Sequence, residues 1–128
     1  MNATTRWITL AAGLLGLTGV ALGAFGAHAL KDQLTASGHL ETWRTAVLYQ
    51  LLHAVALLAL AGWRTGESDS DRRTALCWVT GTVLFSGSLY WLSLGGPRWL
   101  GPITPLGGLA LLTGWLLLVV RTWRTPAK

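Results

Sequence analysis

The chain has 128 residues, 52% hydrophobic and 12% charged, with ten Lys and Arg against five Asp and Glu for a net charge of +5. A charged fraction about half the usual ~25% cannot dress a water-facing surface, and so apolar a chain is not disordered. The basic residues are scattered between apolar blocks with no patch or stripe, which excludes a nucleic-acid surface, and the length allows one domain.

What remains is an all-α integral membrane protein. A bilayer-crossing helix needs about 20 mostly apolar residues. Four stretches qualify, at 7–30, 46–63, 74–94 and 103–120, and they predict a four-helix bundle forming a single transmembrane domain over 1–128. All five acidic residues, Asp32, Glu41, Glu67, Asp69 and Asp71, fall in the connectors.

The first span carries Gly13, Gly16, Gly19, Gly23 and Gly26 at three- and four-residue steps. These fall on one arc of a helix. Lipid tails are as apolar as leucine, so membrane helices associate by close backbone contact at small residues. The arc predicts tight packing against another helix. Arg6, the apolar run and Ala27-His28-Ala29 also fit a signal peptide with its cleavage site. The run exceeds a normal signal core, however, and its regular glycines suit a retained helix.

Ser37-Gly38 breaks the connector that follows, and from His39 a helix can run straight into the second span. That helix would measure ~37 Å over 39–63, longer than the ~30 Å hydrocarbon layer, so its first turns stand at the surface. Residues 66–71 read as a polar, solvated connection. Cys77, the one cysteine, lies in the third span beside Trp78 and reads as a small buried hydrophobe. Residues 95–105 are rich in Gly and Pro and predict a stiff turn before the last span.

Charge placement predicts orientation. Arg6, Arg64, Arg72, Arg73, Arg121, Arg124 and Lys128 lie on one side, and Lys31, Arg44 and Arg98 on the other. The positive-inside rule puts both termini in the cytoplasm (or the mitochondrial matrix). Trp7, Trp43, Trp63, Trp78, Trp91, Trp99 and Trp123 fall at expected span ends, where indoles meet headgroups; Trp115 falls within a span.

Polar residues inside spans usually face other helices. His28 ends the first span, Tyr49, Gln50 and His53 share a face of the second, Ser86 and Tyr90 belong to a stripe on the third, and Thr104 begins the fourth. The orientation above places these seven residues in the outer half of the bilayer. Two readings follow: a hydrogen-bonded network holding the bundle together, or a site for a small amphiphile, lipid headgroup or quinone. Proton relay or haem ligation by His28 and His53 is a narrower variant. No Ser/His/Asp set, intramembrane carboxylate or phosphate loop points to an enzyme, and no cofactor or metal is called for.

Certain blocks resemble a known family. They are residues 23–30 (GAFGAHAL), 43–50 (WRTAVLYQ) with His53-Ala54, 85–90 (FSGSLY), 101–108 (GPITPLGG) and Gly114-Trp115. Together, in this order, they are similar to domain of unknown function 423, a family of small bacterial inner-membrane proteins related to eukaryotic transmembrane protein 256. The resemblance implies a polytopic membrane protein without signal cleavage and supplies no reaction. The expected role is a non-enzymatic component of the membrane, a homo-oligomer or an accessory subunit of a larger complex. The alternative is an amphiphile-binding or transport protein using the polar residues above.

Overall fold

In the computed structural model, residues 1–63 and 69–124 are described. They form α1 (Ala3–Ala27), a short α2 (Lys31–Ala36), α3 (Leu40–Gly62), α4 (Asp69–Ser93), a 3-10 turn (Arg98–Leu100) and α5 (Ile103–Arg124). Four of these, α1, α3, α4 and α5, are long and apolar enough to cross a membrane.

Local chemistry sets the helix ends. The Asn2 side chain accepts the Thr5 backbone N–H at 2.8 Å, capping an otherwise orphaned donor of α1. Two glycines close helices in the left-handed region. Gly38, at φ 74°, follows α2, with Gly38 N–H on Thr35 O and His39 N–H on Leu34 O. Gly95, at φ 87°, follows α4, with Gly95 N–H on Leu92 O and Gly96 N–H on Trp91 O. Both are Schellman closures, and any side chain at these positions would strain the backbone.

Helix ends and apolar blocks do not coincide: α1 stops at Ala27, short of the expected end at 30. α3 starts at Leu40, as a helix running from His39 requires, and α5 continues to Arg124. The expected polar connection at 66–71 needs correction. Residues 66–68 lie outside the described residues, but Asp69 and Asp71 form the first turn of α4. Carboxylates at a helix N-terminus are favoured by the helix dipole, so the sequence cue for a loop doubles as a helix start.

The long helices pack antiparallel in the order α1–α3–α4–α5. α1 touches α4 slightly, so the arrangement is closer to an open row than to a closed bundle. One apolar core joins all four: Ile8 and Ala12, Leu57, Leu60 and Ala61, Ala75 and Trp78, and Leu111. The end helices keep apolar faces exposed, with Leu10, Leu14, Leu17 and Val20 on α1 and Leu109, Leu112, Leu116 and Val119 on α5. Apolar faces this extensive suit acyl chains or other helices, not water.

The glycine arc of α1 is only partly used. A Cβ on Gly19 would meet Leu51, one on Gly23 would meet Val47, and one on Gly26 would meet the Trp43 indole. Nothing lies within 4 Å of the Cβ positions of Gly13 and Gly16. The expectation of five packed glycines is therefore corrected to three. The reason is rotational: the buried residues Ile8, Ala12, Gly19 and Gly26 define a face about 60° from the centre of the glycine arc. Close glycine contacts also join α4 to α5, where Gly81 meets Leu111, Gly107 meets the Phe85 backbone and Gly114 meets Trp78.

Candidate functional site

Gln50 is the hub of the interior polar groups. It sits near the middle of α3, on the face toward both neighbours. Its Nε2 donates to Leu15 O at 2.9 Å and to Thr18 Oγ1 at 2.8 Å, both on α1. Its Oε1 accepts from the Tyr90 hydroxyl of α4 at 2.8 Å. Both amide hydrogens are thus used, and three helices are tied through one side chain. The Thr18 hydroxyl donates in turn to Leu14 O at 2.7 Å. The Tyr90 ring stands edge-on to Trp43, with centroids 4.7 Å apart. Trp43 donates its indole N–H to Leu22 O at 2.9 Å, a second tie from α3 to α1.

His53, one turn further along α3, is buried and linked to α5. Its Nδ1 lies 2.8 Å from Tyr49 O, and a carbonyl can only accept, so Nδ1 carries the proton. Its Nε2 then accepts from the Trp115 indole N–H at 3.1 Å. This pairing assigns the neutral ring: a proton on Nε2 would set two donors against each other. Trp78 packs beside both rings, 4.6 Å from Trp115 and 6.1 Å from His53 between centroids.

The remaining links are local. Ser86 donates to Ala46 O at 2.7 Å, joining α4 to α3. The Thr104 and Ser88 hydroxyls meet at 2.7 Å, joining α5 to α4. Arg121 of α5 pairs with Asp71 of α4, whose side chain is 2% exposed.

Of the seven expected site residues, Gln50 and Tyr90 meet directly, whereas His53, Ser86 and Thr104 each bond a different partner. Tyr49 makes no side-chain hydrogen bond to them, and its ring lies 6.3 Å from that of His53. It is 40% exposed and leans on Phe85, because its position falls on the flank of α3 rather than on its buried face. His28 is exposed at the C-cap of α1. α1 and α3 run antiparallel with Gly26 against Trp43, and His53 lies ten residues, or ~15 Å, further along α3. The two histidines therefore do not form a pair. No group of three or more potential metal ligands occurs among the described residues.

Three participants were missed from the sequence. Thr18 and Ser88 look like ordinary small residues, although a lone hydroxyl in an apolar run is a usable signal. Trp115 is the indole that the sequence places within a span, and an indole N–H there needs an acceptor. Trp78, expected at a span end, is instead buried in the interior at 1% exposure. Trp43 is buried as well, whereas Trp63, Trp91, Trp99 and Trp123 are exposed near helix ends.

Comparison with known proteins places these features in a family. Residues 22–108 match the family model described as protein of unknown function DUF423. A UPF0382 inner membrane protein of Escherichia coli, YgdD, is 39% identical, covering 98% of this chain and 95% of that protein. A UPF0382 membrane protein of Bacillus subtilis, YwdK, is 42% identical, covering 81% of this chain and 85% of its own. One from Schizosaccharomyces pombe is 40% identical, covering 85% of this chain and 95% of its own. No solved structure matches the chain. With four membrane-length helices and relatives aligned along nearly their full length, the chain belongs to the DUF423, or UPF0382, family of polytopic membrane proteins.

Proposed function

We propose that the protein is a non-enzymatic packing component of the inner membrane, self-associating or built into a larger assembly, with both termini in the cytoplasm. The observation that carries this reading is how the interior polar groups are used. Gln50, Tyr90, His53, Ser86 and Thr104 all bond groups on neighbouring helices. Their geometry supports a structural network, and the amphiphile-binding alternative draws no support from these residues. The uncovered faces of α1 and α5 supply surface for further helices.

Orientation rests on charge. Seven basic residues on the side of the termini against three on the other favour a cytoplasmic N-terminus. Reporter fusions after Lys128 are expected to report the cytoplasm, and a periplasmic signal there contradicts the orientation.

The association test is native mass spectrometry from lipid nanodiscs, paired with cross-linking in membranes through Gly13→Cys in a Cys77→Ser background. The expected result is a discrete oligomer and a cross-linked species. A lone monomer at all protein concentrations, without cross-link, contradicts the reading.

A further inference from the structure

A groove of about 290 Å³ runs between α1 and α3, floored by Gly23, Gly26 and Ala27 and walled by Trp43 and Val47, with Arg44 at one end. We propose that this groove holds an acyl chain of an anionic phospholipid whose phosphate rests on the Arg44 guanidinium.

The groove has a specific cause. Gly26 has no room for a Cβ because the Trp43 indole lies across it, and the indole is fixed there by its bond to Leu22 O. Helix backbone and a flat ring thus leave a shallow apolar trough. Trp43 has spent its polar atom, and Arg44 is the one charged side chain among the described residues of the lining.

Depth matches the ligand. Arg44 stands two residues before the apolar block that starts at Ala46, at headgroup level. From there the trough extends to Leu51, ~10 Å down the helix into the hydrocarbon layer. A cation at the rim above an apolar channel is complementary to a phospholipid, anionic at one end and apolar below.

The Arg44 side chain is 62% exposed, and one nitrogen bonds Glu41 Oε1 at 2.6 Å. A guanidinium has five N–H donors, so the rest of the fork is open to phosphate oxygens. Glu41 opposes an anionic headgroup, so its carboxylate sets the strength of the site.

The full chain is purified in detergent and mixed with phosphatidylglycerol or phosphatidylcholine of identical acyl chains, and retained lipid is counted by native mass spectrometry. Phosphatidylglycerol is expected to be retained about fivefold more than phosphatidylcholine, the effect of one well-placed basic residue. Arg44→Ala should bring the two to parity, Arg44→Lys should keep the preference, and Glu41→Gln should increase it. Ala27→Phe, which fills the trough without touching the charge, should lower retention of both lipids. Equal retention by the native chain overturns the proposal, as does retention indifferent to Ala27→Phe. A dimer that excludes both lipids would instead assign the trough to a second copy and overturn it equally.

Discussion

The Tyr90 hydroxyl donates to Gln50 Oε1 across the α3–α4 contact at 2.8 Å, at the point where Gln50 Nε2 reaches back to α1. One amide thus spans three helices, beside the single ties that Trp43 makes to Leu22 O and Ser86 to Ala46 O. Interhelical hydrogen bonds in membranes average about 0.6 kcal/mol each, because the unfolded helices find other partners in lipid.

Tyr90→Phe should therefore cost about 0.6 kcal/mol, and Gln50→Leu, which removes three bonds, about 2 kcal/mol. Reversible unfolding in mixed micelles measures both. In a double-mutant cycle the pair should be less than additive, since each change removes the same bond. Strict additivity would mean that the two side chains do not interact.

Asp71 and Arg121 pair at the opposite end of the α4–α5 contact, with the carboxylate buried and the guanidinium partly exposed. Replacing either partner removes this ion pair, and a second substitution then has no pair left to remove. Arg121→Leu should destabilise by about 2 kcal/mol, and combining it with Asp71→Leu should cost less than the sum of the two single changes. The same unfolding assay reads it. A double variant weaker than the sum of the single ones would contradict the pairing.

A glycine inside a helix contact and one outside it should respond differently. A Cβ at Gly107 lands on the Phe85 backbone, which has no flexible end to move, so Gly107→Ala should cost about 2 kcal/mol by forcing α4 and α5 apart. Gly13→Ala meets nothing and should leave unfolding within about 0.5 kcal/mol. If Gly13→Ala also leaves oligomer mass unchanged, that position lies outside any association surface.

His53 offers a spectroscopic check. Nitrogen-15 NMR of histidine-labelled protein in lipid at neutral pH should show a protonated Nδ1 and a bare Nε2. Trp115→Phe should shift the Nε2 resonance by removing its donor. A signal from a doubly protonated ring would contradict the Trp115 bond.

Span existence was legible because it depends on composition over about 20 residues, a strong and redundant signal. The break at Ser37-Gly38 was legible because a left-handed closure needs glycine. Rotation of each helix was harder to read. Glycine spacing marked an arc on α1, but the packed face follows the partner's side chains, Leu51, Val47 and Trp43, and those contacts are not local in sequence. For the same reason Tyr49 fell on the flank while its neighbour Gln50 fell inside. Pairing was not legible: seven polar residues on four helices suggested one cluster, whereas the hydroxyls, amide and rings split into separate ties. Trp78 shows the limit of the indole rule, since an aromatic near a block edge is interior once the helix extends past that edge, as α4 does from Asp69.

The most direct test of the account is an experimental structure of the full chain in a lipid nanodisc, resolved well enough to trace the Gln50 amide. The account predicts direct bonds from Gln50 to Leu15 O, Thr18 and Tyr90, with helix side chains filling the space around them. A lipid, quinone or other molecule inserted between Gln50 and Tyr90 would contradict it and return the interior polar groups to the role of a binding site.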